Sequence, residues 1–148
     1  MHLPLLNLAG ANGAAGTTKA DKLLVVARAV TDRLSRSHPV TRRHLTQLMA
    51  ATFGASDADG AWSMRDAYDA LETAQVLLLQ CNDREPLHGD DPHAVLAALL
   101  ALQKSLPTQT YRSETQIDLQ QFSTPLALAW LAARAARIVP SDLVLEPS

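Results

Sequence analysis

The sequence predicts an all-α fold, a bundle of about five or six helices with a short unpaired strand at its C-terminus. Three observations predict it. The 148 residues are 47% hydrophobic but only 4% aromatic, and alanine and leucine carry most of the apolar share, which suits helices better than strands. Apolar residues recur at steps of three and four along most of the chain, the period of one helix face. Between those stretches stand prolines, glycines and capping residues that start and stop helices. A single domain of this size buries roughly two-thirds of the surface its unfolded chain exposes, so folding requires neither metal nor disulfide.

Residues 1–17 predict a flexible leader, because Gly10, Gly13 and Gly16 lie in a run of small residues whose backbone is costly to fix. The three glycines precede a helix, yet no Lys-Ser or Lys-Thr closes a phosphate loop. From Thr18 to Arg36, the residues Leu23, Ala27, Val30 and Leu34 form one stripe, and Pro39 ends that helix. Thr41 caps the next one, with Leu45, Leu48, Met49 and Phe53 inward and Gly54 as its left-handed stop. A polar loop, Ser56 to Trp62, leads to a capping box of Ser63 and Asp66. That box opens a helix reaching roughly Gln80, with Ala67, Leu71, Ala74 and Leu78 on its core face.

Cys81 to Asp90 is a polar break, after which Asp91 as N-cap and Pro92 at the first position start a helix to about Ser105. Ala94 to Leu102 is apolar on every side, so this helix is expected to be the most buried and to lie at the centre. Pro107 ends it. Ser113 and Gln116 form a further capping box over a short helix, and Thr124-Pro125 starts an alanine-rich helix from Leu126 to about Ile138, stopped by Pro140. Leu143-Val144-Leu145 reads as a strand with no partner in the chain. The resulting division is 1–17 leader, 18–122 helical domain, and 123–148 the start of another unit.

Several function classes lack support. No apolar run is long enough for a membrane span, and Met1 to Ala9 lacks a cationic start and a cleavage signature. Cys81 is the single cysteine, compatible with a reducing cytoplasm, the expected location. It has no neighbouring cation to activate it, and no G-x-S-x-G elbow occurs. His88, Asp90, Asp91 and His93 bring imidazoles and carboxylates together, but Asp91 already has a cap to make, which favours a loop leading into a helix over a metal site. Asp57, Asp59, Gly60 and Asp66 match part of a calcium loop, yet Ala55 falls at its first ligand position and the bidentate Glu is replaced by Asp. No catalytic and no metal-binding residue is assigned.

The formal net charge of -2 hides an uneven layout: residues 1–44 net +5 and the remainder -7. Arg33, Arg36, Arg42 and Arg43 lie along two adjoining helices and form a candidate patch for DNA phosphates, the alternative being a solvated helix face.

The C-terminal segment carries a resemblance. Phe122-Ser123-Thr124-Pro125, an alanine-rich helix, and a strand running into Leu145-Glu146-Pro147 resemble the start of class I S-adenosylmethionine-dependent adenine-N6 DNA methyltransferases. Upstream, Phe53 to Trp62 with Asp66-Ala67-Tyr68, and Leu106-Pro107-Thr108 with Arg112-Ser113-Glu114, are similar to the N-terminal helical region of bacterial strawberry-notch-like proteins. Those large, often plasmid-borne chains join a methyltransferase-like domain to a superfamily 2 helicase-like NTPase. The similarity covers roughly residues 40–148, and the two blocks together are more specific than either alone.

The resemblance implies that Phe122, Thr124, Pro125 and Glu146 belong to an S-adenosylmethionine site. A threonine at a helix N-terminus suits the cofactor's carboxylate, and an acid at a strand end suits its ammonium. It also implies a departure. The glycine-rich turn that follows in the family, and its later Asn/Asp-Pro-Pro-aromatic motif, do not occur in the sequence, nor does a Walker motif. Such a chain is expected to be a truncated gene, a fragment or a split subunit, without catalysis or cofactor binding in isolation. The expected function is an accessory helical domain docking on methyltransferase and helicase-like domains of the parent or a neighbouring chain, with DNA as a phosphate-contacting partner. An independent helical protein-interaction module is the alternative.

Overall fold

The computed structural model describes residues 17–80, 87, 89–108, 124–139 and 141–144. Helices dominate them: α1 (Lys19–Ser35), α2 (Arg42–Phe53), α3 (Met64–Gln80), α4 (Pro92–Lys104) and α5 (Leu126–Ala135), with a 3-10 turn at Asp57–Asp59 between α2 and α3. No strand forms among the described residues, and Leu143 and Val144, the described part of the expected one, are exposed. The leader, apart from Thr17, lies outside the described residues, as do Cys81, His88, the Ser113 capping box, Phe122, Pro140, Leu145 and Glu146.

The helix starts follow the capping chemistry of the sequence. At α3, Asp66 Oδ2 accepts from the Ser63 N–H at 2.7 Å while Ser63 Oγ accepts from the Asp66 N–H at 3.3 Å, so two otherwise orphaned amides are satisfied reciprocally. Thr18 and Asp21 repeat the arrangement at α1. Asp91 Oδ1 accepts from the His93 N–H at 2.9 Å, with Pro92 next to it in the first turn of α4. Gly54 closes α2 at φ 73°, in the left-handed region that glycine enters without a side-chain clash.

Packing centres on α1 and α3. The buried alanines Ala27, Ala67, Ala70 and Ala74 let these helices approach closely, and the Thr31 hydroxyl, 2.9 Å from Ala27 O and 3.1 Å from Ala74 O, shares its proton between the two. Lys19 meets Asp66 at 2.9 Å near the other end, so α1 and α3 run in the same direction. Leu45 and Met49 of α2 close the third side, and Val40 and Trp62 fill its ends. Trp62 Nε1–H donates to Ala55 O at 2.8 Å, which pins the α2–α3 connection.

The predicted place of α4 requires correction. It is not the central helix. Only Val95 and Leu99 of α4 are buried, in a second cluster with Ala127 of α5, flanked by Leu79, Leu96, Leu126 and Trp130. Ala97 and Ala101 face solvent and Leu100 is 45% exposed. Four of the nine residues from Ala94 to Leu102 are alanines, and two of them, Ala97 and Ala101, lie on the outer face, where a methyl group exposes little apolar area, so the helix is tolerated at a periphery.

The last helix differs too. It stops at Ala135 rather than near Ile138, and Arg137 turns to φ 53° before Pro140 is reached. Pro125, not Thr124, occupies its N-cap position, and no side chain caps it.

Candidate functional site

Two regions hold the residues singled out from sequence. In the first, Thr124 and Pro125 stand on the rim of a half-open cleft of about 380 Å³ between α3, the end of α4 and the start of α5. Leu71, Val76 and Leu106 give it an apolar lining, and Glu72, Gln75 and Gln103 add polar groups. Tyr68 OH donates to Thr108 O at 3.1 Å and holds the chain beyond α4 against α3. The Leu128 and Ala129 N–H groups are taken by Pro125 O. Of the four residues assigned to a cofactor by resemblance, Thr124 and Pro125 thus share one cleft rim; Phe122 and Glu146 lie outside the described residues. Thr124, set one position ahead of the N-cap, does not cap α5 with its hydroxyl. These two residues do not by themselves hold a cofactor, and no catalytic step follows from them.

The second region is the turn from α1 into α2. Its arginines are not equivalent. Arg36 pairs with Asp32 at 3.0 Å, and Arg33 Nε–H donates to Pro39 O at 2.9 Å. Arg42 and Arg43, the first residues of α2, are exposed, and neither guanidinium has an ionic or hydrogen-bonding partner among the described residues. Both sit beside the positive end of the helix dipole, where acids are favoured. The Val40 N–H donates to Ser105 O at 2.8 Å, which brings the end of α4 and its exposed Lys104 against this turn. Sequence reasoning missed Lys104, since the signal is a hydrogen bond between segments more than sixty residues apart.

The acidic side groups gather around the start of α3. Hydrogen bonds from the Ser56 side chain and backbone hold the Asp59 carboxyl below its ordinary value. At Asp66 burial works to raise the carboxyl, but hydrogen bonds from Lys19 and Ser63, with the Lys19 charge, outweigh it and leave it lowered. Asp69 moves the opposite way: desolvation raises it, Glu72 and Asp66 add to the rise, and Arg65 and Lys19 oppose it. Of the three carboxylates that match part of a calcium loop, two are engaged as caps, Asp59 to Ser56 and Asp66 to Ser63. Among the described residues no group of three or more His, Cys, Asp or Glu is placed to hold a metal ion. No helix among them is long and apolar enough to cross a membrane.

Comparison with protein families, curated proteins and solved structures gives no match to this chain.

Proposed function

We propose that this chain is an accessory helical domain of a DNA methyltransferase and helicase-like protein, acting in the cytoplasm, non-catalytic itself, and docking on the methyltransferase core through the outer face of α5. The observation that carries the reading is a second apolar stripe on that helix. Leu126, Ala127 and Trp130 face α4, while Leu128 and Leu131, with Ala132 and Ala135, face solvent at the same helical spacing. Leu128 is 56% and Leu131 41% exposed, and Ile138, Val139, Leu143 and Val144, which follow in the chain, are exposed as well. A helix apolar on two faces has a partner to cover the second one.

The occupant is a methyltransferase-like sheet. In this reading Leu143 and Val144 join that sheet as part of a strand, and α5 packs on it as the preceding helix. S-adenosylmethionine belongs to the assembled parent, where Thr124, Pro125, Phe122 and Glu146 contribute part of its site and the core supplies the glycine-rich turn.

The test mixes the chain with a methyltransferase-like polypeptide encoded in the adjoining reading frame and follows complex formation by sedimentation and cofactor binding by calorimetry. A complex that is lost in Leu128→Ser/Leu131→Ser supports the reading, with no S-adenosylmethionine binding by the chain alone. Micromolar cofactor binding by the isolated chain, or failure to associate with such a core, overturns it. The latter result leaves the chain as an independent interaction module.

A further inference from the structure

We propose that the α1–α2 turn and the C-terminal end of α4 together form a surface for the phosphate backbone of duplex DNA, with Arg42, Arg43 and Lys104 as its principal contacts. The inference is independent of the docking face on α5. It starts from charge that folding does not use. Arg33 and Lys104 lie in the last turns of α1 and α4, where a cation complements the helix dipole. Arg42 and Arg43 do the reverse at the start of α2. Among the described residues they gain no ion pair in exchange, and the one carboxylate of segments 31–44 and 101–108, Asp32, is paired with Arg36. Two guanidinium groups without a partner among the described residues stand at an electropositive helix start, with an ammonium delivered from a third helix through the Val40–Ser105 hydrogen bond, and together they make a site that an external polyanion neutralises.

Three features select the duplex over other polyanions. Segments 31–44 and 101–108 contain no Phe, Tyr or Trp, so the described part of the surface offers no large aromatic platform on which single-stranded bases stack. Leu34, Val40, Leu102 and Leu106 of those segments are not exposed, and Leu100, one turn before Lys104, is 45% exposed, but one leucine is not the broad apolar face that lies between lipid chains. The cations stand on rigid elements, since Arg42 and Arg43 occupy a capped first turn and Lys104 a helix end tied to the turn by hydrogen bonding. Cations held on fixed elements suit a polyanion that is itself regular and stiff, and contacts to its phosphates read no base sequence.

The structure also revises which arginines matter. Asp32 already neutralises Arg36 and Pro39 O engages Arg33 Nε, so these two contribute less than Arg42, Arg43 and Lys104.

Fluorescence anisotropy of the full chain with short labelled duplexes of two unrelated sequences tests the surface. With about four phosphate contacts at roughly 0.9 ions each, binding should weaken about a hundredfold between about 50 and 200 mM salt, equally for both sequences. Arg42→Gln/Arg43→Gln/Lys104→Gln should remove about three of those contacts from the salt dependence. Arg65→Gln, at the opposite end of α1 and α3, should leave it unchanged, with circular dichroism confirming that both variants fold. The proposal is overturned if the folded wild type fails to bind duplex at low salt, or if the triple variant keeps the wild-type slope. It is equally overturned if single strands or anionic phospholipid vesicles are bound more tightly than duplex.

Discussion

Thr41 and His44 share a capping box at the start of α2 in which the imidazole stands where a glutamate or glutamine usually does. His44 Nδ1 accepts from the Thr41 N–H at 3.3 Å and lies 2.9 Å from Thr41 Oγ1, while the His44 N–H donates to that hydroxyl at 3.2 Å. The ring acts as an acceptor only through an unprotonated Nδ1. His44→Glu keeps the box, adds an acid at the positive helix end beside Arg42 and Arg43, and should stabilise the chain by about 0.5–1 kcal/mol. Thr41→Ala removes the cap and should cost about 1 kcal/mol. Thermal melts of the two variants should shift in opposite directions, and a lower Tm for His44→Glu contradicts the account.

Acid sensitivity follows from two carboxylates one turn apart on α3. Asp66 is held below its ordinary value in the folded chain, so its contribution is present above the unfolded value near pH 4 and is lost as pH falls through the lower folded value. Asp66→Asn should therefore lower Tm at neutral pH and flatten the decline in acid. Asp69 is raised, and the sign reverses: ionising it opposes folding at neutral pH, and that penalty disappears as pH falls through the raised value. Asp69→Asn should leave Tm unchanged or slightly higher. If both asparagine variants lose stability equally, the assigned environments are wrong.

The division of the interior into two clusters predicts unequal consequences for buried charges. Val30 belongs to the α1–α2–α3 core and Leu99 to the α4–α5 cluster, and both are essentially inaccessible. Val30→Asp places an unpaired carboxylate between α1 and α3 and should abolish cooperative folding. Leu99→Asp should release α4 and α5 while the first core persists as a local unit. Amide hydrogen exchange decides it: protection in α1 and α3 should survive Leu99→Asp and vanish in Val30→Asp. Simultaneous loss throughout the chain for Leu99→Asp would show that α4 is coupled to the core after all.

Local chemistry was the legible part of this fold. The caps at Thr41, Ser63 and Asp91, the stop at Gly54 and the inner stripe Ala67, Leu71, Ala74 and Leu78 depend on residues within a few positions of one another. The centre of the molecule was not legible. Ala94 to Leu102 reads as interior on hydropathy, whereas α1, with its many charges, holds the core through Val26, Ala27, Val30 and Leu34. What decides between them is the fit of alanine faces between α1 and α3, which no single segment carries. The same holds for the candidate sites. Arg42 and Arg43 are visible from charge alone, but the commitment of Arg36 to Asp32 and the arrival of Lys104 require the folded chain.

The α5 helix supplies a prediction that separates its two faces. Trp130 packs into the α4–α5 cluster, and Arg134 lies 5.8 Å from the centroid of its ring. Trp130→Ala removes an anchor from the inner face and should cost about 3 kcal/mol or more if the pocket does not collapse. Leu128 and Leu131 on the outer face contribute little to folding because much of each already meets water. Leu128→Ser/Leu131→Ser should therefore change Tm only slightly, through the lower helix propensity of serine, at about 0.5 kcal/mol per site or less. The variant should also bind less of a dye that reports exposed apolar surface and resist association at high concentration. If the double serine variant instead melts as low as Trp130→Ala, the outer stripe is covered within the chain and is no docking face. If it melts like the wild type but binds as much dye, the exposed apolar surface lies elsewhere, along Ile138 to Val144.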